Sequence, residues 1–173
     1  MKTFACLFLI ACLGLPGLSA AEKNWAPPAG KIYAQTLVER IMAKHPELIS
    51  VTLHGVPPDQ SKVYTMFAGS YLDRIGNPDD PDDIMVTDKG ITILDPRWHK
   101  PNDPVKKYVV QLPLRDDSGE NVGLIVLAYH HEAGSKKGDR EYLDAAMKLR
   151  DALERKIPSY AALFQPATEP SRE

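Results

Sequence analysis

The segment 108–129 restricts the fold more than any other part of the chain. Tyr108, Val110, Leu112 and Leu114 alternate with their neighbours, Asp116-Asp117-Ser118-Gly119 supplies turn chemistry, and Val122 to Tyr129 returns as a nearly continuous apolar run. This pattern predicts an antiparallel hairpin. Apolar residues at both parities of 122–129 make the returning strand a central one, covered on both faces. The chain must therefore build a layered sheet.

Further elements flank this hairpin. From Lys31 the apolar spacing is helical, with Ala34, Leu37, Val38, Ile41 and Met42 on one stripe and Gln35, Glu39, Arg40 and Lys44 facing away, until Pro46 stops the helix. Strict alternation in Ile49-Ser50-Val51-Thr52-Leu53-His54 predicts a half-buried strand, with Ile49, Val51 and Leu53 on its inner face. The turn Gly55 to Ser61 leads to a second strand, Lys62 to Ala68, and a third strand is expected at Gly90 to Leu94. Between the second and third strands, residues 69–89 form a long connection, and connections of that length are usually functional or disordered. After Gly134 and Gly138, Asp139 caps a closing helix whose buried stripe is Tyr142, Ala146, Leu149, Leu153 and Ile157. Pro158 ends it, and residues 158–173 read as a tail.

The first residues change what the composition means. Lys2, the apolar stretch Phe4 to Leu15 and the small residues Ser19-Ala20-Ala21 have the layout of a signal peptide over residues 1–21, followed by an extended lead-in over 22–30. A second reading of the same segment is a lipidated cysteine in Leu9-Ile10-Ala11-Cys12. Both cysteines, Cys6 and Cys12, lie in this segment, so an exported mature chain would have no disulfide, thiolate metal site or cysteine nucleophile. Loss of Lys2 with the segment moves the formal net charge from −2 to −3. That charge excludes a strongly basic nucleic-acid binder, and the lack of a later 20-residue apolar run argues against an integral membrane protein.

The order helix, two strands, long connection, three strands, helix is accompanied by the hairpin Leu112-Pro113-Leu114-Arg115-Asp116-Asp117-Ser118-Gly119-Glu120-Asn121-Val122-Gly123-Leu124-Ile125-Val126. Together they resemble the extracytoplasmic PAS-like domains called Cache sensor domains. In that family the penultimate strand commonly ends in an apolar-Pro-Leu segment, before an Asp/Gly turn and an apolar-Gly-apolar final strand. The resemblance spans residues 31–157 and implies an α+β fold, a PAS-like five-stranded antiparallel sheet with an N-terminal and a C-terminal helix. It also implies that the first and last strands lie side by side and parallel, that a ligand sits between the sheet and the 69–89 connection, and that the long helices can build a homodimer. Cache domains usually sit between two transmembrane helices and feed a kinase, chemoreceptor or cyclase. A stand-alone exported form would signal through a separate membrane-bound protein.

Sequence motifs for catalysis are scarce: there is no Gly-x-Ser-x-Gly elbow and no His-Glu-x-x-His, and Gly134-Ser135-Lys136-Lys137-Gly138 lacks the glycine spacing of a phosphate loop. The chain reads as non-catalytic. Arg97, Trp98 and Tyr108 offer an arginine fork, an indole face and a phenol, suited to a small carboxylate or amine, and the resemblance adds Tyr64, Tyr71 and Arg74. The plainer reading is that the aromatic residues pack and Arg97 is a surface charge. With the first and last strands parallel, His54 would approach His130 or His131, and such imidazoles could hold a transition metal or a haem iron. Against this stands the reading of ordinary strand-end histidines. The acidic run 77–83 could offer oxygen ligands to calcium, but a calcium loop needs alternating carboxylates with a glycine at its bend, whereas Pro78 and Pro81 stiffen this run and Gly76 precedes it, so it reads as a solvated loop.

Three functions follow. The first is an exported small-molecule-binding, sensor-like domain with no cofactor. The second is a histidine-based metal or haem protein, and the third a non-catalytic interaction module.

Overall fold

The computed structural model describes residues 22–96, 102, 104, 107–132 and 134–167. Residues 1–21, whose sequence has the layout of a signal peptide, and the candidates Arg97 and Trp98 lie outside them. The fold is α+β, with a five-stranded antiparallel sheet in the order β2-β1-β5-β4-β3. Its strands are β1 (Leu48–Gly55), β2 (Thr65–Gly69), β3 (Ile93–Asp95), β4 (Lys107–Arg115) and β5 (Asn121–His130).

Two long helices, α1 (Tyr33–Lys44) and α3 (Asp139–Glu154), cover one face. The apolar stripes expected of them are buried except at their ends: Ala34, Leu37, Val38 and Ile41 on α1, with Met42 only partly buried, and Tyr142, Ala146, Leu149 and Leu153 on α3, with Ile157 buried beyond the helix end. They meet Val51, Leu53, Val110, Leu112, Ile125 and Leu127 of the central strands in the main core. Asp139 is the first residue of α3 and Gly138 its cap, with Glu141 Oε2 accepting from the Gly138 N–H at 3.0 Å. Gln35 does not face solvent as its place in the pattern suggests. It is buried, its Nε2 donating to Gly69 O at 3.1 Å and its Oε1 accepting from Gly69 N at 3.0 Å. The side-chain amide thus does for the end of an edge strand what a neighbouring backbone would do.

The expected parallel pairing of the first and last strands is overturned. β1 and β5 are antiparallel, with Leu48 opposite Tyr129 and His54 opposite Leu124. Antiparallel pairing throughout makes β2 and β3 run in the same direction on opposite edges, so the chain between them must return along the sheet. Helix α2 (Pro81–Lys89) makes that return across the second face, against β5, β4 and β1. A bulge between Leu48 and Ser50 also puts Leu48, not Ile49, in the core with Val51 and Leu53. Because α2 covers the other face, Ser50, Thr52 and His54 are buried too, and β1 is not half-exposed.

The acidic run is the start of α2 and not a solvated loop. Asp80 precedes the helix, Pro81 opens it, and the Asp80 N–H donates to Asp83 Oδ2 at 3.4 Å. Gly90, with φ 64°, closes it, so the third strand begins only at Ile93. The tail reading is also corrected for residues 158–167. A short helix α4 (Tyr160–Leu163) buries Leu163 completely, Phe164 packs on Phe67 and Trp25, and Ala167 N donates to Lys31 O at 2.8 Å.

Candidate functional site

Between the sheet and residues 71–83 lies a cavity of about 190 Å³. Its floor is the polar face of β1, with Ser50, Thr52 and His54, together with Met66, Gln111 and Val126. Tyr71, Arg74, Asn77, Pro78 and the first turn of α2 form the opposite wall.

His54 is 8% exposed and sits at the centre of a polar network. Its Nε2 lies 2.7 Å from Thr52 Oγ1, its Nδ1 2.7 Å from Asp79 Oδ1 and 3.7 Å from Asp83 Oδ2. Burial by itself pushes the imidazole pKa down. The hydrogen bond and charge of Asp79, with the charges of Asp83 and Asp80, outweigh that and hold it above the ordinary histidine value. For Asp83 burial is the largest cause and raises the pKa, the charge of His54 lowers it, and Asp79 and Asp82 raise it again, leaving it at about 6. Gln111 reaches across from β4, its Nε2 donating to Asp82 Oδ2 at 2.8 Å and to Asp83 Oδ1 at 2.9 Å. Gln111 Oε1 and Asp79 Oδ2 are buried acceptors with no hydrogen-bond partner among the described residues.

Of the residues singled out from the sequence, Tyr71 and Arg74 line this cavity, with the Arg74 guanidinium 4.8 Å from the centre of the Tyr71 ring. Tyr64 does not line it, because its hydroxyl donates to Asp88 Oδ1 at 2.7 Å. Tyr108 is on the opposite face of the sheet, stacked on Tyr142 at 4.1 Å and donating to Asp139. The grouping of His54 with His130 or His131 is overturned by the antiparallel register. Those residues follow Tyr129, which pairs with Leu48, six residues and about 20 Å along β1 from His54. His131 instead contacts the Tyr142 hydroxyl at 2.9 Å. Nor is there room for a haem beside His54, since the cavity is smaller than the roughly 300–1,000 Å³ of drug-sized sites.

From the sequence, Asp79 and Asp83 are set aside with the acidic run as a solvated loop, and Gln111 and Thr52 carry no site signal. Asp80-Pro81-Asp82-Asp83 is a helix-start signature, and it would have placed the acids at a helix end crossing the sheet. A larger cavity, about 350 Å³, opens between α1 and α3, with Leu37, Ile41, Leu149 and Leu153 on its floor and Arg40, Lys44, Lys148 and Lys156 at its rim. It has more room, but the convergent buried polar groups are under α2.

No family model and no curated protein matches the chain. Among solved structures, it is similar to the GAF domain of a two-component sensor histidine kinase from Bacillus halodurans, at 11% identity and a TM-score of 0.47 over 72% of this chain and 92% of that one. It is similar to the blue-light absorbing form of the PixJ GAF domain of Thermosynechococcus elongatus, at 18% identity and a TM-score of 0.44 over 71% and 86%. It is also similar to the DcuS sensor domain of E. coli, at 16% identity and a TM-score of 0.35 over 68% and 71%. At these scores the likenesses assign neither a ligand nor an activity.

Proposed function

We propose that this chain is an exported, sensor-like domain that binds a small polar molecule between its sheet and residues 71–83. Gln111 carries this reading. It is 5% exposed, it lines the cavity, and its Oε1 is a buried acceptor without a partner among the described residues. Such an atom costs about 1–3 kcal/mol unless a donor reaches it, and a ligand N–H or O–H in the cavity would do so. The carboxylates of Asp80, Asp82 and Asp83 favour a ligand with a cationic or donor-rich end, and Arg74, on the same wall, suits a carboxylate. The volume limits it to a few heavy atoms.

Asp82 and Asp83 stand on the first turn of α2, so a ligand between them and β1 would hold that helix to the sheet. Fewer conformations of the connection would then be presented to a membrane-bound partner. Export is supported by Lys2, the apolar stretch after it and the small residues at 19–21. Thermal unfolding in the presence of amines, amino acids and small organic acids tests the binding. At least one compound is expected to raise the Tm, with the rise reduced in Arg74→Ala. A panel in which no compound raises the Tm overturns the reading.

A further inference from the structure

We propose that His54, Asp79 and Asp83 form a binding site for one divalent transition-metal ion at the edge of this cavity. One donor atom from each lies within 4.8 Å of the other two, and the group is enclosed. His54 is 8% exposed and the Asp79 side chain is 0% exposed. Bonds of about 2.0–2.2 Å to one ion require donors roughly 3.0–3.6 Å apart, and the distances of 2.7 and 3.7 Å from His54 Nδ1 to the two carboxylates bracket that spacing.

The surroundings orient each donor as a metal site needs. Thr52 Oγ1 lies 2.7 Å from His54 Nε2, so Nε2 can keep its proton toward Thr52 while Nδ1 faces the carboxylates. Gln111 holds Asp83 by Oδ1, leaving Oδ2 on the side of His54 with only the 3.4 Å bond from Asp80 N. Asp79 touches His54 through Oδ1, and its Oδ2 has no partner among the described residues. That atom is independent of the clustering and points to the missing group. It is an enclosed carboxylate oxygen, an acceptor, so a cation or donor is what it lacks.

An organic ammonium fits this gap less well than an ion, because Asp79 does not line the cavity wall and is closed to a ligand lying in it. An imidazole beside two carboxylates selects zinc, manganese, iron or nickel over calcium and magnesium, which prefer oxygen alone. Three protein donors leave coordination positions open toward the cavity, where water or the small ligand proposed above would bind. The inference deepens that reading, yet it is tested with metal alone.

Chelator-stripped protein is titrated with ZnCl₂ by calorimetry, and the histidine imidazole signals are followed by ¹H–¹⁵N NMR. The expected result is one zinc per chain, a shift of the His54 signals ahead of those of His45, His99, His130 and His131, and about tenfold or greater weakening in Asp79→Asn and Asp83→Asn. Absence of one-to-one binding overturns the proposal, as does a shift confined to the other histidines, or wild-type affinity in both variants. If circular dichroism shows the variants unfolded, the imidazole spectrum of the wild-type protein decides. A compound panel that fails while zinc binds His54 removes only the small-molecule reading, and the reverse removes only the metal site.

Discussion

A Cβ placed on Gly123 would stand 2.3 Å from the carbonyl oxygen of His54, so the close approach of β5 to β1 at the candidate site depends on a residue without a side chain. Gly123 also has φ 139°, outside what other residues readily adopt. Gly123→Ala is therefore expected to destabilise the protein by about 2–4 kcal/mol, as strain and overpacking act together. Urea unfolding measures this. A loss below about 1 kcal/mol would mean that the two strands separate here at little cost.

Gln35 satisfies both the N–H and the C=O of Gly69. Gln35→Leu keeps the volume but leaves two buried backbone groups unpaired, at about 1–3 kcal/mol each. A loss of about 2–4 kcal/mol is expected, with faster amide exchange at the end of β2. Gln35→Glu retains the acceptor for Gly69 N and removes the donor to Gly69 O. Exchange at Gly69 in the two variants separates the two bonds.

The hairpin turn carries a pH dependence. Asp116 Oδ1 accepts from Ser118 Oγ at 2.6 Å and from the N–H groups of Ser118 and Glu120, both at 3.1 Å. The Ser118 hydroxyl bond is the largest cause of a pKa below the usual carboxylate value. A lowered pKa means that the stabilisation is present above the unfolded value, about 4, and is lost as the pH falls through the folded one. Asp116→Asn is expected to be less stable than wild type at pH 7, with the gap narrowing as the pH drops below about 4. Chemical denaturation across that range would show it, and a gap independent of pH would refute the assignment.

How much of this was legible in the sequence depends on what each pattern had to specify. The stripes of α1 and α3 and the β4–β5 hairpin were readable because a buried face imposes a period on the residues that form it. The direction of β1 against β5 was not, since strand alternation is the same read either way and only the path of the connection decides it. The cover over His54 was half-visible: apolar residues at both parities of β5 already required a layer on the second face, and Asp80-Pro81-Asp82-Asp83 marked where it begins. What no local pattern contained was the meeting of His54 with Asp79 across 25 residues. Gln35 likewise looked like a solvent-facing residue because its partner, the backbone of Gly69, carries no side-chain signal.

Residues 158–167 test whether packing or periodicity bounds this domain. Leu163 is 0% exposed and belongs to the main core, although it follows Pro158 in a segment without a helical repeat. Leu163→Ala is expected to cost about 2–5 kcal/mol, the range for a buried leucine that leaves a cavity. A nearly neutral effect in thermal or urea unfolding would restore the view of this segment as a tail.

Gln111 ties the helix over the site to the sheet beneath it. One Nε2 group bonds to two carboxylates of the first turn of α2, Asp82 at 2.8 Å and Asp83 at 2.9 Å, while the fully buried Val86 is the helix's main apolar anchor. Hydrogen bonds to ionised groups contribute about 1.5–3 kcal/mol, so losing them compares with losing a buried methyl-bearing side chain. Gln111→Leu is therefore expected to lower global stability by about 2–4 kcal/mol. The amides of α2 should lose more exchange protection than those of α1 or α3, because α2 buries little else against the sheet. Hydrogen exchange read by mass spectrometry distinguishes the outcomes. Equal loss in all three helices would show that α2 and the sheet unfold as one unit, and unchanged protection of α2 would show that Val86 alone holds it down. Selective loosening of α2 would show that Gln111 holds this helix to the sheet independently of the rest of the fold, as the proposed ligand response requires.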